Sequence, residues 1–561
     1  LLLGRNGNVS LYNELMESIE IVLAMMLAVI ASAYLVRLLP VSLPLPLLQI
    51  GLGALISTFT GHGVQLEPEL FFLVFLPPLL FLDGWRIPNS GLVRDRRVIM
   101  GLAFGLVLFT VVGAGYLIHL LIPAMPMAVA FALAAVVSPT DPVAVSALKS
   151  RAPMPKRLMH ILEGEALLND ASGLVCFRFA VAAAATGVFS ITDASITFAW
   201  LAVAGIAVGV ALTWSVSHVQ TWLTMRFGEP VGSPILISML IPFGAYMLSE
   251  QIHASGILAA VAAGITMSFV ELNGQALAAT RIQRTAVWDM IQVTLHGVMF
   301  VLLGEQLPDI LRAAGDSIEE VGHESRWWLV YYAGVISVGL IALRFVWVWA
   351  TLRVTLYRRN KNDPDADERP NWRLLLATSL AGVRGSITLA GVMTLPLNLP
   401  DGTPFPARDL TILLASTVIL ISLVAASAGL PRLLGGMTFP EEPAERQQED
   451  LARRAAATAA IAAIERAQLD LMPMSDAPEC YPQAAARVIS LYEHRLNVAS
   501  QDEDDSAAHY RKLDKAERKL RLAAIKAERA AIFDLAQHYH ISDDLARKLV
   551  REIDLVEARH R

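Results

Sequence analysis

The chain has 561 residues, of which 55% are hydrophobic and only 17% charged, with a formal net charge of −6 and a mean hydropathy of +0.51. Soluble proteins carry roughly a quarter charged residues, so a wholly soluble enzyme or nucleic-acid binder is excluded. A polytopic membrane protein with a soluble part is expected, and its two cysteines, Cys176 and Cys480, offer neither a disulfide framework nor a metal cluster.

Apolar stretches of about 20 residues, the length that spans a bilayer, are predicted at 19–39, 43–60, 70–86, 98–122, 127–149, 158–187, 194–217, 233–251, 254–271, 286–308, 327–352, 373–397 and 408–431. That makes thirteen helices in an all-α fold. Lys and Arg alternate in density between successive loops, with eighteen on one side, among them Arg94, Arg96, Arg97, Arg358 and Arg359, against Arg5, Arg312, Arg326 and Arg408 on the other. Positive charge stays on the cytoplasmic side, so the N-terminus is expected outside and the C-terminal part inside. Residues 1–18 then form an extracytoplasmic segment, 19–435 the transmembrane domain and 436–561 a cytoplasmic helical, regulatory domain.

The fifth stretch contains SPTDPVAVSAL (138–148). Pro139 and Pro142 bracket Thr140 and Asp141, and each removes a backbone donor and clashes with the preceding turn. The helix should open there, either to line a cavity with freed carbonyls and the Thr140 hydroxyl or as a kinked packing helix.

The sixth stretch contains EGEALLND (163–170). Intramembrane charges are costly and mark function. Glu165 and Asn169 are four apart and share a helix face, whereas Asp170 lies about 140° from Glu165, so the two carboxylates should serve different partners. Glu163 shares the face of Asp170 two turns away and reads as part of a cytoplasmic funnel or as a residue at the membrane interface. The twelfth stretch, AGVRGSITLAGV, places Arg384 mid-span between Gly382 and Gly385, which makes it the expected partner of Glu165. Arg178 and Arg344 sit nearer the ends of their stretches and read as snorkelling cations. The fifth and twelfth helices are seven apart and run in opposite directions, as an inverted repeat requires.

In the tail, LARRAAATAAIAAIERAQL is rich in strong helix formers, QDEDD (501–505) reads as a connector, and Ile541, Leu545, Leu549, Ile553 and Val556 form an amphipathic stripe. The chain contains no GxxxxGK[ST] loop, so ATP-driven pumping has no support.

SPTDPVAVSAL, EGEALLND and GVRGSITLA together resemble the cation–proton antiporter 1 family of bacterial sodium/proton exchangers. FLPPLLFLDGW (75–85) and SGILAAVAAGI (255–265) also look like that family's segments, and the likeness runs from about residue 19 to 432. The resemblance implies thirteen helices, a six-helix core of two inverted repeats with crossing interrupted helices, and a homodimer in the bacterial inner membrane. It implies that Asp170 carries the cation or the proton, with Na⁺ held at Asp170, Asp141 and Thr140, and that Asn169 marks electroneutral exchange. It also implies a buried structural ion pair, Glu165 with Arg384. No cofactor is expected beyond transported Na⁺ (or Li⁺ or K⁺) and H⁺, and an unknown regulator of the tail is the further partner. One departure is Ala166, where many relatives carry Ser, which leaves the coordination shell one hydroxyl short. A proton-coupled organic-solute carrier on the same helix plan would want more aromatic and amide groups at the crossing. A membrane sensor with a vestigial transport core would want a signalling motif in the tail.

Overall fold

The computed structural model describes residues 3–38, 43–60, 68–87, 96–141, 156–187, 191–228, 230, 232–271, 278–319, 327–362, 372–399, 402–435, 437, 443–474, 480–500, 520–522, 524–532, 534–535, 549–550 and 552–557. The chain divides into two compact units, Leu1–Thr438 and Phe439–Arg561.

In the first unit the helices follow the apolar stretches. They are α1 (Leu3–Leu38), α2 (Leu45–Thr60), α3 (Pro68–Arg86), α4 (Arg96–Met100), a π-helical turn (Gly101–Leu106), α5 (Val107–Leu121) and α6 (Met127–Val137). Then come α7 (Lys156–Thr186), α8 (Ile191–Phe227), α9 (Ser233–Gln251), α10 (Gly256–Glu271), α11 (Ala278–Glu319) and α12 (Trp327–Asn362). The unit closes with α13 (Trp372–Leu380), α14 (Ser386–Met393) and α15 (Arg408–Leu434). Among the described residues eight helices are long and apolar enough to cross a membrane, and α2, α6 and α10 are shorter apolar helices. No strand occurs among the described residues. Helix α1 begins at Leu3, well before the expected start at 19, although its apolar window opens at Glu20.

Lipid provides no hydrophobic drive between helices, so small residues that let backbones approach carry the packing. Helix α10 is the clearest case: Ala259, Ala260 and Ala263 are fully buried between α3, α8 and α9. Helix α8 shows the opposite pattern, with Trp200, Val203, Trp214, Val219 and Trp222 all exposed along its length. Beside α7, the π-helical turn offers its Ala103 carbonyl to Ser172, whose Oγ donates to it at 2.6 Å. A π turn loosens the regular ladder and frees such a carbonyl.

Two elements are interrupted. Helix α6 stops at Val137 because Pro139 cannot continue it and Asp141, which precedes a proline, is driven out of the helical region. Pro142 and the rest of the fifth stretch, 142–149, lie outside the described residues. The twelfth stretch is likewise two short helices, α13 and α14, with residues 381–385 between them.

The second unit contains α16 (Pro443–Leu471) and α17 (Cys480–Ser500), which pack on each other. Further along, Arg529 pairs with Asp554 at 2.6 Å and with Glu557. Of the expected stripe, Leu549 and Ile553 are half-buried and Val556 is exposed. Ile541, Leu545 and the connector 501–505 lie outside the described residues.

Candidate functional site

The two breaks meet, and they do so by exchanging hydrogen bonds. In an unbroken helix the Val137 carbonyl would accept from the Asp141 N–H four residues on. Instead Asp141 N donates to Val383 O at 2.8 Å, and Val137 O accepts from Arg384 Nε at 2.8 Å. Arg384 Nη1 also donates to Gly382 O, and the Arg384 N–H donates to Ser422 Oγ at 3.1 Å. Each interrupted segment thus satisfies the backbone groups the other has freed, which buried backbone requires. Gly385 is needed for the approach, since a Cβ there would lie 1.9 Å from Asp141 Oδ2. Helix α7 is drawn in the same way: a Cβ on Gly173 would lie 2.3 Å from Pro139 Cγ.

Against this crossing α7 presents its polar residues. Glu165 and Asn169 are each 1% exposed and Asp170 is 8% exposed. Asn169 Nδ2 donates to Thr140 Oγ1 at 2.9 Å, and Thr140 Oγ1 donates to Glu165 Oε1 at 3.3 Å. Because the Thr140 proton points at a carboxylate, its oxygen faces Asn169 as an acceptor, which fixes the Asn169 amide with Nδ2 inward. Asn169 Oδ1 is left buried without a hydrogen-bond partner among the described residues. The shared face of Glu165 and Asn169 expected from spacing is therefore joined through Thr140.

The expected Glu165–Arg384 ion pair is not what forms. Glu165 is held by both terminal nitrogens of Arg344, Nη2 to Oε2 at 2.7 Å and Nη1 to Oε1, while Arg344 Nε donates to Thr378 O at 3.1 Å. Arg344 is 2% exposed, so the snorkelling expected of it is corrected as well. The physical reason is the partner: the apolar span of α12 ends at Arg353, next to its expected end, and Arg344 is held at its depth by both oxygens of Glu165 rather than drawn to the interface. Arg384 stands within electrostatic range of Glu165 and Arg344, but its guanidinium serves the backbone carbonyls.

Asp170 has no hydrogen-bond or ion-pair partner among the described residues, and Asp141 and Asp83 stand within electrostatic range of it. Glu163, half-buried on α7, stands within the same range of Asp83. In the sequence Asp83 is legible only as an acid inside the apolar run FLPPLLFLDGW. Ala166 is buried and adds no oxygen. Among the described residues no group of three or more His, Cys, Asp or Glu has metal-holding geometry.

Comparison with known proteins places the chain in a family. Residues 24–435 match the family model described as "Sodium/hydrogen exchanger, transmembrane". The chain is 39% identical to the Escherichia coli (strain K12) protein named Uncharacterized Na(+)/H(+) exchanger YjcE, over 97% of this chain and 99% of that one. It is 37% identical to the Sodium, potassium, lithium and rubidium/H(+) antiporter of Bacillus subtilis (strain 168), over 96% of this chain and 78% of that one. Among solved structures it is similar to the sodium proton antiporter MjNhaP1 from Methanocaldococcus jannaschii, with a TM-score of 0.54, 19% identity, and coverage of 75% of this chain and 100% of that one. That last likeness is one of fold.

Proposed function

Since the chain belongs to the transmembrane sodium/hydrogen exchanger family, and is therefore a membrane antiporter of monovalent cations against protons, we propose that exchange is electroneutral and that cation and proton compete for the Asp170 carboxylate. The observation that carries this reading is a buried acid with no partner among the described residues, beside the crossing of two interrupted segments. Glu165 is occupied by Arg344, so its charge is already balanced and it serves as structure. Asn169 Oδ1 and the Asp141 carboxylate supply the further oxygens beside Asp170, and Thr140 orients the first of them. Na⁺, a hard cation, suits carboxylate and carbonyl oxygen. The name of the Bacillus subtilis relative supports a site that takes K⁺ and Li⁺ too.

One proton exchanged for one monovalent cation moves no net charge. The membrane potential, worth ~2.3 kcal/mol per charge per 100 mV, then drops out, and the two concentration gradients set the direction. The crossing gives alternating access a pivot, because the two segments that cradle the site are bonded to each other. The Lys and Arg distribution supports a bacterial inner-membrane protein with residues 436–561 in the cytoplasm. A homodimer and a regulator acting on that domain complete the proposal. An organic-solute carrier is not favoured, because the polar groups assembled here are those of an ion site.

The test uses proteoliposomes with an imposed pH gradient and an internal pH dye. Addition of Na⁺, Li⁺ or K⁺ is expected to alkalinise the lumen, at a rate indifferent to a clamped potential, and Asp170→Asn abolishes the response. A rate that follows the potential would overturn electroneutrality. Full activity in Asp170→Asn would remove the carboxylate from its role.

A further inference from the structure

Helix α3, which carries Asp83, ends one turn later in Arg86. Residues three apart share a helix face, so an Asp83–Arg86 pair within α3 is the default arrangement. A different one forms. Arg86 Nη1 donates to Gln292 Oε1 at 2.6 Å and Nη2 pairs with Asp289, both on α11. The Asp83 carboxylate is left without a hydrogen-bond or ion-pair partner among the described residues, with Arg86, Asp141 and Glu163 all in electrostatic range.

The end of α3 is packed against the helix that holds Arg86 away. Arg284, Trp288 and Gln292 recur every fourth residue on α11 and so present one face. Trp288 is 1% exposed, and its ring centroid lies 5.4 Å from that of Phe81 and 6.3 Å from that of Trp85. Trp85 Nε1 donates to Glu271 Oε2 at 2.7 Å, Arg284 pairs with the other oxygen of Glu271, and the Arg284 guanidinium lies 5.1 Å from the Trp85 ring. The end of α3 is thereby fixed against α10 and α11, and Arg86 has two acceptors in place on α11.

We propose that Asp289 and Gln292 divert Arg86 from Asp83, and so keep an anionic step open on the cation's way to Asp170. This rests on the reading of Asp170 as the exchange site. Arg86, Asp289 and Gln292 are positioning residues: they set how strongly a cation is drawn to Asp83 and leave the exchange step itself alone. Asp289→Ala releases Arg86 toward Asp83. The arginine charge then offsets the aspartate, and the apparent KM for Na⁺ rises while kcat holds.

The measurement is Na⁺-driven exchange in proteoliposomes at low ionic strength. For Asp289→Ala the expected rise in KM is about two- to fivefold, the scale of an exposed charge pair. It is reversed when Arg86→Gln is added, and it vanishes in ~1 M choline chloride, where screening acts within about 3 Å. Gln292→Leu, which removes the other acceptor, moves KM in the same direction by less and guards against a folding defect in the first variant. An unchanged KM in both variants, or a rise that persists with Arg86→Gln, would overturn the proposal. Asp170→Asn is run beside them. If it is inactive while Asp289→Ala matches the parent, only the diversion of Arg86 is wrong, whereas if it still exchanges, the reading of the site is wrong.

Discussion

Glu165 accepts from Arg344 and from Thr140 at once, so the geometry around Asn169 depends on a carboxylate that never needs to meet the cation. Breaking a buried pair leaves an uncompensated charge and costs about 3–5 kcal/mol. Arg344→Met is expected to lower stability by that amount in equilibrium unfolding in detergent. Glu165→Gln combined with Arg344→Met should recover part of it, through a coupling of about 1–3 kcal/mol. The coupling of Glu165 with Arg384 should be smaller, and the reverse order would reassign the pair. Thr140 allows a finer test. Thr140→Val leaves the Asn169 amide without its acceptor, at about 1–3 kcal/mol for the buried group, whereas Thr140→Ser keeps the hydroxyl. Exchange rates near the parent's in the serine variant and strongly reduced in the valine variant are the expected result. Equal rates in the two would separate the relay from transport.

Among the elements, the interrupted segments carry the most specific geometry. Gly385→Ala places a Cβ 2.4 Å from the Asp141 Cβ as well as on its carboxylate, so rotating the side chain gives no relief and the backbone must shift, at the expense of the Asp141–Val383 bond. Loss of exchange with normal membrane insertion is expected, measured by dye-reported flux alongside protein yield. These elements also explain what was legible beforehand. The break after Val137 could be read from Pro139 and Pro142, because proline removes a donor wherever it stands. The break at 381–385 contains no proline and was legible only as two glycines around an arginine. Glu165 and Asn169 were placed on one face by spacing alone. The partner of Glu165 was not, because Arg344 lies 179 residues away on α12, and nothing within α12 distinguishes a cation held by a distant carboxylate from one that reaches for the interface. Asp83 was visible as an intramembrane acid, but nothing local in α3 ties it to Asp141 beyond the end of α6 or to Glu163 and Asp170 on α7.

At the scale of the whole molecule, the division near residue 438 coincides with the end of the family match at 435 and with the change from sparse to dense charge in the sequence. A chain ending at Thr438 is expected to insert and to exchange Na⁺ for H⁺ in proteoliposomes, and any role of residues 439–561 should appear as a shift in its pH–rate profile. For the full chain, competition at one carboxylate requires the apparent KM for Na⁺ to rise on acidification, by up to about tenfold per pH unit where one proton displaces one cation. A KM flat in pH would require separate sites. The exchanged bonds at the crossing also bear on how the protein is made. Val137 and Arg384 are 247 residues apart, and at about 5–20 residues per second the ribosome delivers the second tens of seconds after the first. Throughout that interval the opened end of α6 sits at the membrane with a carbonyl and an amide whose partners do not yet exist, each costing several kcal/mol if left in lipid. Biogenesis therefore has to keep this segment hydrated or chaperoned until α13 and α14 arrive, and nascent chains stopped between the two breaks should be the ones that quality-control proteases remove.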